Sequence, residues 1–259
     1  MASNSPKKVV RVRPVPAVSR AIAILRLLGD AEHPMGVKAI SDALDLVPST
    51  CLHILRVLVS EDLIEVDADT KRYSMGSGMI SLARSVLEKG SFSQRAQPAL
   101  DRVASSFGVT AMCVEITAQD SVVVIAISHS AQPFRIHTDV GSKFTTLVSA
   151  TGRLIAAYSS DPWPKLRQKF DAIAWDRKPS FADWKKEIEL ARTQGWSIDR
   201  DNFMTGITVL ATPILTPAGR LSHTLVAVGL SSQFDGNFTD ELAQSMLVEA
   251  QSLSRLVLG

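Results

Sequence analysis

Two cysteines in 259 residues, Cys51 and Cys113, lie far apart in the chain. So thin a supply gives neither a disulfide framework nor a thiolate metal site, and it fits a reducing cytoplasm. The five histidines are His33, His53, His129, His137 and His223. None stands at metal-ligand spacing from another or from a cysteine. HExxH, GxxxxGK[ST] and GxSxG are all missing. Gly76-Ser77-Gly78 lacks the strand-to-helix setting of a phosphate cradle or a nucleophile elbow. No catalytic residue, metal or cofactor is therefore expected, and the chain reads as a non-enzyme. There is no internal repeat and no apolar run long enough to cross a bilayer. The basic N-terminus is not followed by the apolar segment of a secretory signal. A cytoplasmic protein without a membrane partner is the expectation.

Strong charge of one sign is also lacking, since the formal net charge is only +2. Divided along the chain, it becomes more informative. The first twenty residues carry Lys7, Lys8, Arg11, Arg13 and Arg20 and no acid. Residues 21–80 carry Arg26, Lys38, Arg56, Lys71 and Arg72 against nine acids. Any nucleic-acid contact made here would draw its positive charge from an N-terminal arm and a few points beyond it. The arm also suits a solubilising tail.

What is present is a foldable chain, 46% hydrophobic and 21% charged, and long enough for two domains. Residues 1–16 hold three prolines and alternating Val and Arg, a flexible basic arm. Val18–Leu28 has the periodicity of a helix, with Ser19 as its N-cap and Gly29 just past its end. The stretch Gly36–Leu58, GVKAISDALDLVPSTCLHILRVL, reads as two short helices with a tight break. Ile40, Ala43 and Leu44 share one face of the first, and Leu46 and Val47 fill the corner. Pro48 stops what precedes it, and Ser49 or Thr50 caps the second helix. Leu52, Leu55, Leu58 and Val59 follow at buried-stripe spacing. Thr50, His53 and Arg56 are left on the opposite side, where a helix-turn-helix presents its reading face to DNA. An ordinary helical hairpin fits the same residues.

Leu63–Met75 reads as a β-hairpin around Asp67-Ala68-Asp69-Thr70, which turns the unit into a winged helix-turn-helix. Lys71 and Arg72 then sit where a wing meets the sugar-phosphate backbone. The expected organisation is an arm over 1–16, a winged domain over 17–75, a linker helix over 76–90 and a second domain over 91–259. The second domain shows helices at both ends. Between them lie strands at Ala111–Ile116, Ser121–Ser128, Phe134–Val140, Trp196–Ile198, Gly206–Leu215 and Leu221–Leu230. Helices are expected at Gln94–Phe107, Leu147–Tyr158, Phe181–Gln194 and Thr239–Leu258. This is an α+β domain with a mostly antiparallel sheet. Asp199 and Asp201, close together after a glycine turn, have the residue types for acid–base work, but acids beside a turn are more commonly solvated. A lone His137 on a strand reads as structural.

Three segments together resemble the IclR family of bacterial transcription regulators. The first is VSRAIAILRLL followed by PSTCLHILRVLVSEDLIE and RYSMG. The second is VGSKFTTLVSATGRLIAAY. The third is GWSIDRDNFMTGITVLATPILTPAGR. The likeness covers about residues 17–258. It implies a GAF-like effector domain with a small-molecule pocket on its sheet. It also implies a homodimer, or a dimer of dimers (homotetramer), on a palindromic double-stranded operator. Control of a catabolic or transport operon is implied, with repression the expected sign.

The resemblance also suggests residue roles. The DNA-reading set is Arg20, Ser49, Thr50, His53, Arg56, Lys71 and Arg72. Family members usually have arginine where this chain has His53, and only arginine pairs with guanine in bidentate fashion. The effector set is Gly141, Ser142, Leu147, Asp199, Val209, Val226 and Val228. Gly141 and Ser142 match a turn whose backbone N–H groups face the ligand, and Asp199 matches an acidic contact. Val209 stands where members often have cysteine, and Val226 and Val228 where binders of small oxoacids carry serines. Leu147 replaces a common histidine. Lost hydroxyls and a lost thiol leave fewer partners for a buried carboxylate, so the expected effector is more apolar than glyoxylate or pyruvate. Alternatively the valines simply fill core volume. The competing function is a small-molecule sensor or enzyme whose winged domain binds protein.

Overall fold

In the computed structural model, residues 15–88, 92–117, 121–130 and 138–257 are described. The lysines and first two arginines of the arm, His137 and most of the strand expected at Phe134–Val140 lie outside them. Residues 138–140, at the end of that span, are not strand. The chain separates into two compact units, one ending at Lys89 and the other starting at Gly90.

The first unit begins with α1, Pro16–Asp30. A proline at the first helical position needs no N–H and brings its φ preset. The helix therefore starts ahead of Ser19, which does not cap it; Ser19 instead donates its N–H to the Val15 carbonyl. Gly29 lies inside the helix rather than beyond it. Strand β1 (Met35–Gly36), α2 (Val37–Ala43), α3 (Pro48–Ser60), β2 (Ile64–Val66) and β3 (Arg72–Met75) follow. The strands form an antiparallel sheet in the order β1-β3-β2. Pro48 again sets a helix start, so α3 has Val47 as its N-cap and no side-chain cap from Ser49 or Thr50. Val47 is exposed and does not fill the corner; Leu46 does. The buried stripe is Cys51, Leu55 and Leu58, packed with Ile24 and Leu28 of α1, Ile40 of α2, and Ile64 and Tyr73 of the hairpin.

Both helices of this pair end in the same way. Asp45 and Asp62 adopt positive φ, 50° and 58°. Leu46 N–H bonds the Ser41 carbonyl and Leu63 N–H bonds the Leu58 carbonyl, at 2.9 and 3.0 Å. This is the Schellman closure, made with aspartate, which tolerates the left-handed region better than most residues. After β3, α4 spans Gly78–Glu88. A Cβ on Gly76 would collide with the Asp62 carbonyl, and one on Gly78 would lie 2.6 Å from it. The chain entering α4 is thus pressed against the end of α3.

The second unit is built on a six-stranded antiparallel sheet in the order β6-β5-β4-β9-β8-β7. Its strands are β4 (Thr110–Ile116), β5 (Ser121–Ser128), β6 (Lys143–Thr145), β7 (Ser197–Arg200), β8 (Ile207–Leu215) and β9 (Leu221–Leu230). Helices α5 (Phe92–Phe107) and α9 (Gly236–Ser254) cover one face, burying Ala111, Cys113, Leu225 and Ala227. Helices α6 (Ser149–Tyr158), α7 (Trp163–Asp171) and α8 (Phe181–Gln194) cover the other, over Met112, Val114, Val226 and Val228. The two-residue period of a strand divides β4 and β9 between these layers. Helix α8 is closed at both ends: Ser180 accepts the Asp183 N–H, and Gly195 takes φ 81° beyond the last turn.

Candidate functional site

In the first unit, Ser49, His53 and Arg56 fall on one line along α3, at intervals of four and three, opposite Cys51, Leu55 and Leu58. Ser49, His53 and Arg56 are exposed and Thr50 is half-buried. Arg20 is exposed on α1, and Lys71 and Arg72 are exposed at the hairpin. Arg72 reaches the Pro34 carbonyl at 3.4 Å. Lys71 has φ 54°. The turn before it is held by Asp67, whose Oδ1 accepts Thr70 N–H at 2.7 Å, Thr70 Oγ1 at 2.7 Å and Asp69 N–H at 3.2 Å. Those bonds, Thr70's first, keep the Asp67 carboxyl below its ordinary range. A charge-stabilised turn presents the two basic residues, and an apolar stripe aims α3 outward.

The second unit holds an open cavity over the sheet, with about 700 Å³ of space between its walls, solvent mouth included. Its walls are largely Met112, Val114, Val226 and Val228 from the sheet, with Phe144, Val148, Phe203 and Met204 around them. The strand register explains the grouping. Asp199 pairs with Val209, and Val209 with Val228, so the three stand in one cross-strand row. Val226 stands opposite Met112.

Asp199 is 2% exposed, which corrects the expectation of a solvated acid. Its Oδ1 accepts the Asn202 N–H at 3.0 Å and the Phe203 N–H at 3.4 Å. Its Oδ2 lies 3.2 Å from Arg153 Nη1 in an ion pair, and the same nitrogen donates to the Ser149 carbonyl at 3.0 Å. Arg153 is fully buried; its Nε donates to Glu187 at 2.7 Å and its Nη2 to Asn202 Oδ1 at 2.7 Å. Two polar atoms of the walls, Asp199 Oδ2 and Ser149 Oγ, have no hydrogen-bond partner among the described residues. Asp201 does not join Asp199 as an acid pair. It accepts Ser231 Oγ and Gly206 N–H, both at 2.7 Å, and these lower its pKa, Ser231 foremost.

Of the seven expected effector residues, Asp199, Val209, Val226 and Val228 line the cavity. Gly141, Ser142 and Leu147 do not. Gly141 N–H is taken by the Val124 carbonyl at 2.8 Å and Ser142 N–H by the Asp139 carbonyl at 3.0 Å, so neither N–H is left for a ligand. Leu147 is buried behind the wall, where Gly152 of α6 packs on its backbone. Sequence reasoning did not place Ser149 or Arg153. A basic residue after Gly152 was visible, but nothing local said that it would be swallowed whole.

A winged helix-turn-helix unit followed by an α+β unit with an apolar cavity defines a two-part, DNA-binding transcriptional regulator. The chain belongs to the IclR family. Residues 17–68 match the IclR helix-turn-helix domain, and residues 84–255 match the family described as bacterial transcriptional regulator IclR C-terminal. The glycerol operon regulatory protein of Streptomyces coelicolor is 26% identical over 256 residues, spanning 94% of this chain and 96% of that one. The HTH-type transcriptional repressor AllR of Escherichia coli is 24% identical over 223 residues, 84% of this chain and 81% of its own. Among solved structures, an IclR transcriptional regulator from Alicyclobacillus acidocaldarius shares the fold with a TM-score of 0.81 at 24% identity, covering 94% of this chain and 99% of that one. These are regulators and not enzymes. No single helix among the described residues is long and apolar enough to cross a membrane.

Proposed function

We propose that this regulator is ligand-responsive and represses a catabolic or transport operon from the cytoplasm, as a homodimer or dimer of dimers on a palindromic operator. The observation that carries the ligand part is the apolar cavity with Asp199 in its wall. The exposed face of α3 carries the DNA part. In this reading α3 enters the major groove with Ser49, Thr50, His53 and Arg56, and Lys71, Arg72 and Arg20 hold phosphates. Repression is the sign borne by the relative named a repressor. The effector site comprises Asp199, Val209, Val226 and Val228, and the effector is a small organic molecule more apolar than glyoxylate or pyruvate. It acts only through a difference in affinity for the DNA-competent and DNA-incompetent states.

The test is a mobility shift with the promoter beside the gene. The double variant Arg56→Ala, Lys71→Ala weakens operator binding and flattens its salt dependence by about one to two phosphate contacts, while ligand binding stays intact. Absence of any shift at low salt with the unaltered protein sinks the DNA reading. Tight glyoxylate or pyruvate binding in calorimetry, with aromatic compounds inert, sinks the effector reading.

A further inference from the structure

The polar part of the cavity has a sign. Among the described wall residues, Asp199 is the only charged one. Arg153, its counterion, does not reach the wall and is shared with Glu187. One guanidinium thus answers two carboxylates, and the cluster is left with a net negative charge. The valines at 226 and 228 offer no hydrogen bond. Among the described wall residues, a carboxylate ligand would find an apolar chamber, no cation to meet it and an acid already there. Burying a charge without a partner is among the costliest events in a protein interior. The first turn of α6 also borders the cavity through Val148, Ser149 and Thr151, and its dipole favours anions. That end carries only about half a charge, against a carboxylate whose counterion is shared with Glu187.

The two oxygens without a hydrogen-bond partner among the described residues point the same way. Asp199 Oδ2 can only accept, and Ser149 Oγ can accept. Ser149 is 8% exposed and holds φ 54°, a conformation that serine adopts at a cost. An amine at one end of an apolar molecule can donate to both oxygens, and a hydroxyl can donate to Asp199 Oδ2 while accepting from Ser149 Oγ. We propose that the cavity selects an apolar, ring-sized molecule bearing a hydroxyl or amine, and rejects the same molecule bearing a carboxylate, with Asp199 and Ser149 as the discriminating residues. This rests on the reading of the cavity as the effector site.

Calorimetry on the full chain with matched arylethanols, arylethylamines and arylacetates, each as phenyl and 2-naphthyl, tests both levels. The alcohol or amine is expected to bind at least tenfold more tightly than the acetate of the same ring. Asp199→Asn keeps the oxygen that closes the turn and removes the charge; it should cut amine affinity at least tenfold and bring the acetate within threefold of the alcohol. Ser149→Ala should weaken the alcohol several-fold without helping the acetate. Acetates binding as well as or better than alcohols would overturn the selectivity while leaving an apolar effector site standing. If no member of either series binds, the cavity reading fails and takes the selectivity with it.

Discussion

Arg153 is the residue on which the polar interior of the second unit depends. It is wholly buried, and it ties α6 to α8 through Glu187, to the loop after β7 through Asn202, and to Asp199. Removing one partner of a buried pair leaves the other charge stranded, which costs about 3–5 kcal/mol. Arg153→Leu is therefore expected to lower the urea midpoint sharply. Glu187→Gln, at the partly exposed end of the same network, should cost about 1 kcal/mol or less.

His223 supplies a second residue-level expectation. It stacks on Phe92 at 4.3 Å, its Nδ1 lies 3.0 Å from Ser222 Oγ, and its cross-strand neighbours are Glu115 and Ile214. Burial pushes its pKa down from 6.5 to about 4. The unfolded chain then takes up a proton near 6.5 that the folded chain refuses until about 4. Stability is complete above the upper value and falls as pH drops between the two, by at most about 3 kcal/mol. His223→Phe keeps the stacking and removes the titrating group. Denaturant midpoints at pH 7 and 5 should converge in that variant and differ in the parent.

At the scale of elements, glycine and proline decide more than periodicity does. A Cβ on Gly152 would collide with the backbone of Leu147, so Gly152→Ala forces α6 away from the turn that leads into it. A loss of about 1–3 kcal/mol is expected, read as a fall in melting temperature. Asp62→Gly should go the other way by roughly 0.5 kcal/mol, since glycine holds positive φ without a steric penalty. The same residues explain what could be read in advance. The bounds of helix α8 were legible because its amphipathic period and the glycine that ends it are both local. The starts of α1 and α3 were misread because a hydroxyl nearby was preferred to a proline at the first helical position. Strands β1 and β6 are two and three residues long and carry no period to detect. In the cavity, the valines and Asp199 could be placed by resemblance. Ser149 and Arg153 reach their places only through tertiary packing, and Gly141, Ser142 and Leu147 stand outside the cavity wall, the first two with their N–H groups bonded to neighbouring carbonyls.

For the molecule as a whole, each unit contains one buried free thiol, Cys51 in the first and Cys113 in the second. Burial raises the pKa of both, most strongly for Cys113, so neither should react with a thiol reagent in the native state. Among the described residues the first unit closes its core on eight buried apolar side chains, far fewer than the second. Small cores are the more marginal. Pulse labelling along a urea gradient is expected to modify Cys51 at lower urea than Cys113. Simultaneous labelling would mean that the units unfold as one.

The contact between Gly76, Gly78 and the Asp62 carbonyl has a mechanical meaning. Two chain segments that leave no room for a methyl group between them have no play. The start of α4 is thereby seated on the end of α3, the helix that carries the side chains at 49, 53 and 56. Helix α3 and the helix that follows the hairpin are arranged as the two arms of a single crank, and the pivot is made of absent side chains.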